Sequence, residues 1–140
     1  MGFKSIQKDY EQALNDVKNM NSEKRANAIA NLGVYGNEKD LPVLKQALND
    51  SAEAVKVAAL YSLALQGEKQ YAEKLIEYLD NERDLFRKLA KAALEAVCVK
   101  KFSDPLKDMD SAKKAKQEWS DWWKANSAKL TFDKKKKIFG

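Results

Sequence analysis

The chain has 140 residues, 44% hydrophobic and 34% charged, with net charge +5, no histidine and one cysteine. A domain of this size buries enough surface to need no disulfide or metal, and a lone cysteine excludes an intramolecular disulfide and any multi-cysteine metal site. The absence of histidine removes the commonest general base and the commonest metal ligand together.

Two prolines and five glycines are few for a many-stranded β fold, while Ala, Leu, Lys and Glu, all good helix formers, dominate; an all-α protein is expected. No stretch reaches the roughly 18 apolar residues of a membrane span. The N-terminus lacks a signal-peptide core, and Ile6 stands where myristoylation needs Ser or Thr. A cytoplasmic monomer is the expectation, or an exported protein if a signal has been removed. The positive charge is uneven: residues 1–50 are neutral, whereas 99–140 carry 12 Lys/Arg against 6 Asp/Glu, four of them Lys134–Lys137. A short terminal run of this kind reads as a solvated tail before a binding patch.

In chain order, Phe3, Ile6, Tyr10, Ala13, Leu14, Val17 and Met20 recur every three or four residues, predicting an amphipathic N-terminal capping helix of about five turns over residues 1–21. Asn21 and Ser22 break the pattern and offer a cap for the next helix. SEKRANAIANLGVYGNEKDLPVLKQALND, from Ser22, then aligns without a gap on SAEAVKVAALYSLALQGEKQYAEKLIEYLDN, from Ser51, at an offset of 31. The pairs include Arg25 with Lys56, Ala28 with Ala59, Leu32 with Leu63, Gly36 with Gly67, Leu44 with Leu75 and Asp50 with Asn81. A third step reaches Arg87, Ala90 and Leu94, so residues 22–97 hold two full repeats and half of another. A fixed period of this length marks a solenoid.

Each copy reads helix, glycine turn, helix. Small Ala28, Ala59 and Ala90 permit close helix approach, and Leu32, Leu63 and Leu94 fill the core. Gly36 and Gly67 are expected in the left-handed position ending the first helix, Asp40 as an N-cap, and Pro42 in the following first turn. These segments resemble HEAT-like repeats of the short bacterial kind, also seen in phycobilin lyases. The shared features are the basic residue after the repeat start, the Ala and Leu that follow, and the Leu-Pro-x-Leu opening of the second helix. The resemblance implies a right-handed α-solenoid of six to seven helices, with first helices convex and second helices lining the concave side. It also implies an interaction scaffold.

After Cys98, whose setting in LEAVCVK reads as a small buried hydrophobe, the period fails. Residues 98–132 are expected to hold an irregular loop, with a turn at Asp104-Pro105, and a helix from about Ser111 to Asn126 capped by Asp110 or Ser111. Residues 133–140 read as a mobile basic tail. Trp119, Trp122 and Trp123 fall on one helix face, continued by Ala112 and Ala115, and the spacing favours a lid over the open half-repeat above an aromatic recognition platform.

No catalytic, cofactor or metal site emerges: there is no phosphate-binding glycine loop and no zinc spacing. DMDSAKKAKQEW fails as a calcium loop, with Lys113 where glycine is required and Trp119 where the bidentate Glu belongs. Glu73, Glu77 and Asp80 share one helix face, and the repeat-1 counterparts of the last two are Gln46 and Asn49. Gln46, Asn49, Glu73, Glu77 and Asp80 are therefore the candidate partner-binding residues, a concave ridge for a protein or basic peptide. The alternative is a nucleic-acid binder resembling HEAT-like DNA glycosylases and using the basic C-terminal region, with Asp121 between Trp119 and Trp122. An acidic ridge where phosphates need Lys or Arg argues against it.

Overall fold

The first apolar stripe forms α1 over Phe3–Asp16, shorter than its spacing predicts. A computed structural model describes residues 3–140, with side chains from Gln7 onward, so the side chains of Phe3 and Ile6 lie outside the described residues. Ala13 is buried, whereas Leu14 is 40% exposed and Met20 98% exposed. The helix stops because Asn19 folds its side chain onto the Asn21 N–H (2.9 Å) and so starts a turn.

There follow α2 (Ser22–Tyr35), a 3-10 turn (Glu38–Asp40), α3 (Leu41–Ala47), α4 (Glu53–Leu65), α5 (Lys69–Ile76), α6 (Asp84–Cys98) and α7 (Met109–Asn126). A second 3-10 turn (Ser127–Lys129) leads to the two-residue strands β1 (Phe132–Asp133) and β2 (Ile138–Phe139). The protein is thus an α-solenoid, all-α apart from one small hairpin. The first helices α2, α4 and α6 stack in order, α5 packs on its own first helix α4, α3 packs more on α4 than on its own α2, and α7 lies beside α5. Ala28, Ala59 and Ala90 are buried at the crossings, and Leu32, Leu63 and Leu94 are wholly enclosed.

The repeat is written in hydrogen bonds as well as in packing. Thirty-one residues apart, Asn19, Asp50 and Asn81 each accept the N–H two residues on, from Asn21, Ala52 and Arg83, all at 2.9 Å. In the first and third of these turns an arginine then staples the turn from inside the next helix, whereas Lys56, at the middle position, is exposed and makes no such bond. The Arg25 Nη1 donates to the Asn19 and Met20 carbonyls (2.8 and 3.0 Å), and the Arg87 Nη1 to those of Asn81 and Glu82 (2.7 and 3.2 Å). The recurrence reaches back into α1 and the turn after it, where Ala13, Val17 and Asn19 occupy the places of Leu44, Leu48 and Asp50. So α1 is the second helix of a truncated first repeat and not only a cap.

Arg25 also grips Asp50 with two bonds, Nε to Oδ2 (3.0 Å) and Nη2 to Oδ1 (2.9 Å). That bidentate contact holds the Asp50 carboxyl below the usual carboxylate range. A depressed folded pKa contributes stability above the ordinary carboxylate value and loses it as pH falls through the depressed one. Asp50→Asn keeps the turn acceptor, as Asn81 does one repeat later, but loses the ion pair. We expect its melting temperature a few degrees below wild type at neutral pH and converging with it in acid, by calorimetry across pH. A gap that persists unchanged in acid would exclude the ion pair as its source.

Several local expectations are corrected. Gly67 is left-handed (φ 88°), but Gly36 is extended (φ −82°, ψ −176°). Gly36 is needed for space: a Cβ there would sit 2.6 Å from the Asp40 Oδ2. Asp40 makes no side-chain cap to α3; its buried carboxylate accepts the Asn37 N–H (3.0 Å) in a capping box and the Tyr10 hydroxyl (3.0 Å). The α7 cap is Asp108, whose Oδ1 accepts the Ser111 N–H (2.7 Å), earlier than Asp110 or Ser111.

The expected mobile tail is a docked hairpin, with Phe132 paired to Phe139 and the lysine run forming its turn. Phe139 is buried, because its ring meets Trp123 edge-on at 6.2 Å and Phe132 at 5.2 Å. Phe132 in turn covers Gly67, where a Cβ would lie 2.4 Å from the ring.

Candidate functional site

The second helices carry the residues singled out above. Pro42 enters the first turn of α3, where its missing N–H costs nothing, and Leu44 is buried beneath. That geometry turns Gln46 and Asn49 outward, and both are exposed. They rim an open groove of about 430 Å³ shared by the ends of α1 and α3. Its apolar lining comes from Val17, Ile29, Val43, Ala47 and Val55, and its polar edge from Lys18, Gln46, Asn49 and Asp50.

Along α5 and the turn that follows it, Ala72, Leu75 and Leu79 are buried, which presents Glu73, Glu77 and Asp80 on the other side. Here the tertiary structure adds a partner invisible in the local sequence. Lys116 reaches over from α7, its Nζ 3.2 Å from the Asp80 Oδ1 and 3.4 Å from the Glu77 Oε2. Partial burial pulls the Lys116 ammonium down, but the bonds to Asp80 and Glu77 outweigh this and leave its pKa above the ordinary lysine value. Two of the three ridge acids are thus already paired. Glu73 stands apart, on the rim of a hollow of about 370 Å³ with Lys69, Gln70, Trp123, Ser127 and Ala128.

The tryptophans pack chiefly into the core. Trp119 and Trp123 are buried and Trp122 is half-buried. Trp119 meets Phe102 at 4.9 Å and Trp122 at 5.9 Å, both edge-on. Lys100 lies over the Phe102 and Trp122 rings (5.5 and 5.7 Å). Asp121 is exposed and accepts a bond from Gln117 one turn earlier (2.8 Å), an ordinary helix-surface contact. Cys98 is buried, and burial pushes its thiol up to about 12.

Stacked helix pairs with a period of 31, a recurrent turn hydrogen bond at the repeat starts and grooves along the second helices define a helical-repeat protein. Residues 11–95 match the HEAT repeats family, and the chain belongs to it. The match begins inside α1, in agreement with the repeat register found there. No curated protein and no solved structure matches the chain. HEAT repeats generally mediate contacts between proteins, and the family is typically non-enzymatic. Among the described residues, no helix is long and apolar enough to cross a membrane.

Proposed function

We propose that this chain is a non-catalytic scaffold whose second-helix face, α3 together with α5, holds a basic and partly apolar segment of a partner protein. The observation that carries this reading is Lys116, whose ammonium sits between Glu77 and Asp80. The α5 ridge already binds one lysine, supplied by its own chain. A lysine or arginine of the partner takes that place or pairs with Glu73, while its apolar side chains enter the groove edged by Gln46 and Asn49. Desolvating such charge pairs gives orientation and selectivity, and the apolar lining supplies the non-directional part of the affinity.

Capture of partners from the native source tests this. Glu73→Gln, Glu77→Gln and Asp80→Gln combined should lower recovery at least tenfold, roughly the loss of one to two charge-assisted contacts. Ala47→Trp should do the same by filling the groove. Lys116→Met should increase recovery, because it unmasks the acids. Undiminished capture by both the triple variant and Ala47→Trp would exclude this face.

A further inference from the structure

The two ends of the first-helix stack are finished differently. At the N-terminal end, the outward stripe of α2 is Lys24, Asn27, Asn31 and Tyr35, all exposed and mostly polar, as a terminal repeat requires for solubility. At the other end, the stripe of α6 is Leu85, Leu89, Ala92, Ala96 and Val99, spaced at three and four residues and apolar throughout. Leu85 is 50% exposed and Val99 66% exposed.

The repeat register says what this face is built for. Counting back 31 residues, Leu85, Ala92 and Ala96 correspond to Ala54, Tyr61 and Leu65 of α4, which pack against the core cluster that includes Phe86, Ala90 and Leu94 of α6. The open face of α6 thus continues an interface the protein already uses inside itself. Among the described residues no further first helix covers this face, because α7 lies beside α5.

We propose that a second copy of this chain covers it, through an antiparallel α6–α6 pair about a twofold axis near Ala92. The charges on one flank are arranged for this pairing. Lys88 and Glu95 lie on the same side of the stripe, equally far from a point beside Ala92, and neither has an ion-pair partner among the described residues. In an antiparallel twofold pair, residues on the same flank face each other, so Lys88 meets Glu95 of the second copy and Glu95 meets its Lys88. A parallel pair would instead put the two Lys88–Glu95 flanks on opposite sides of the interface, where they do not meet.

The ends of the stripe fit as well. A hollow of about 400 Å³ is lined by Asp84, Leu85, Lys88 and Leu106, at the position that the second copy's Val99 reaches in this register. Ala92 and Ala96 let the two backbones approach closely between these end contacts. Val99 itself is held left-handed (φ 49°), a conformation in which glycine is the unstrained choice and a β-branched residue is rare. An exposed valine there makes sense if its side chain has a place to go. The dimer leaves α3 and α5 of both copies open, which makes the scaffold bivalent.

Sedimentation equilibrium of the full chain over a wide concentration range tests the pairing. Wild type should run as a monomer–dimer equilibrium. Lys88→Glu and Glu95→Lys should each weaken dimerisation roughly tenfold or more, since each change places two like-charge contacts across the axis. The double variant should restore it, because the exchanged charges are again complementary. Ala92→Arg should give a monomer, and Val99→Gly should weaken the dimer while the monomer stays folded by circular dichroism. A wild type monomeric at every concentration, a double variant no better than the singles, or a dimer that tolerates Ala92→Arg would each overturn the assignment.

Discussion

Trp119→Ala is expected to destabilise the protein by about 3–5 kcal/mol, the range for deleting a large buried aromatic, and to lower the melting temperature by on the order of 10 °C. Trp119 is 1% exposed and is the largest wholly buried side chain described. It belongs to the same core cluster as Ala90, Ala93 and Val97 of α6, and its edge contacts with the Phe102 and Trp122 rings are lost with it. The cavity would open between α7 and the repeats, where Ala112 and Ala115 have no bulk with which to close it. Trp122→Ala should cost less than half as much, because that ring is already partly hydrated. Thermal denaturation of both variants checks the order, and equal losses would mean that the helix face has been assigned incorrectly. The Trp119 variant should also loosen the hold of Lys116 on Glu77 and Asp80, since the same helix carries both residues.

Gly33→Ala is expected to destabilise by about 1–3 kcal/mol, although alanine is the better helix former by about 1 kcal/mol. At this crossing α2 and α4 approach so closely that a Cβ on Gly33 would lie 2.4 Å from the Ser62 Oγ and 2.6 Å from the Ser62 Cα. The Oγ is itself committed, donating 2.5 Å to the buried Ile29 carbonyl, and Gln66 Nε2 donates 3.0 Å to the Gly33 carbonyl beside it. A methyl group must therefore push the two backbones apart and stretch both bonds. Ser62→Gly in the same chain should recover only part of the loss, because the α4 backbone still obstructs. Urea midpoints of the single and double variants decide this, and an unchanged or higher midpoint for Gly33→Ala would overturn the crossing geometry.

Neither Gly33 nor Phe139 carried a signal in the chain read by itself. Gly33 stands inside a helix, where one glycine is tolerated without a reason, and its register partner Ala64 gave no contrast. Phe139 follows four lysines, whose charge reads as solvated; the ring is buried only because β1 and β2 fold back onto Trp123. The candidate ridge was legible in part. The spacing of Glu73, Glu77 and Asp80 placed them on one face, but Lys116 lies a whole repeat length away and pairs with two of them.

The repeat architecture was determined by the sequence alone. The period of 31, buried Ala28, Ala59 and Ala90, and the enclosed Leu32, Leu63 and Leu94 follow from helix geometry, which sets the side of a helix on which each side chain stands. That rule is local, so it can be read residue by residue. Which distant segment arrives on a face is decided only when the helices stack. Gly33 against Ser62, Phe132 over Gly67 and Lys116 between Glu77 and Asp80 are contacts of that kind. They depend on the shape and charge of two surfaces at once, and on the solenoid bringing them together.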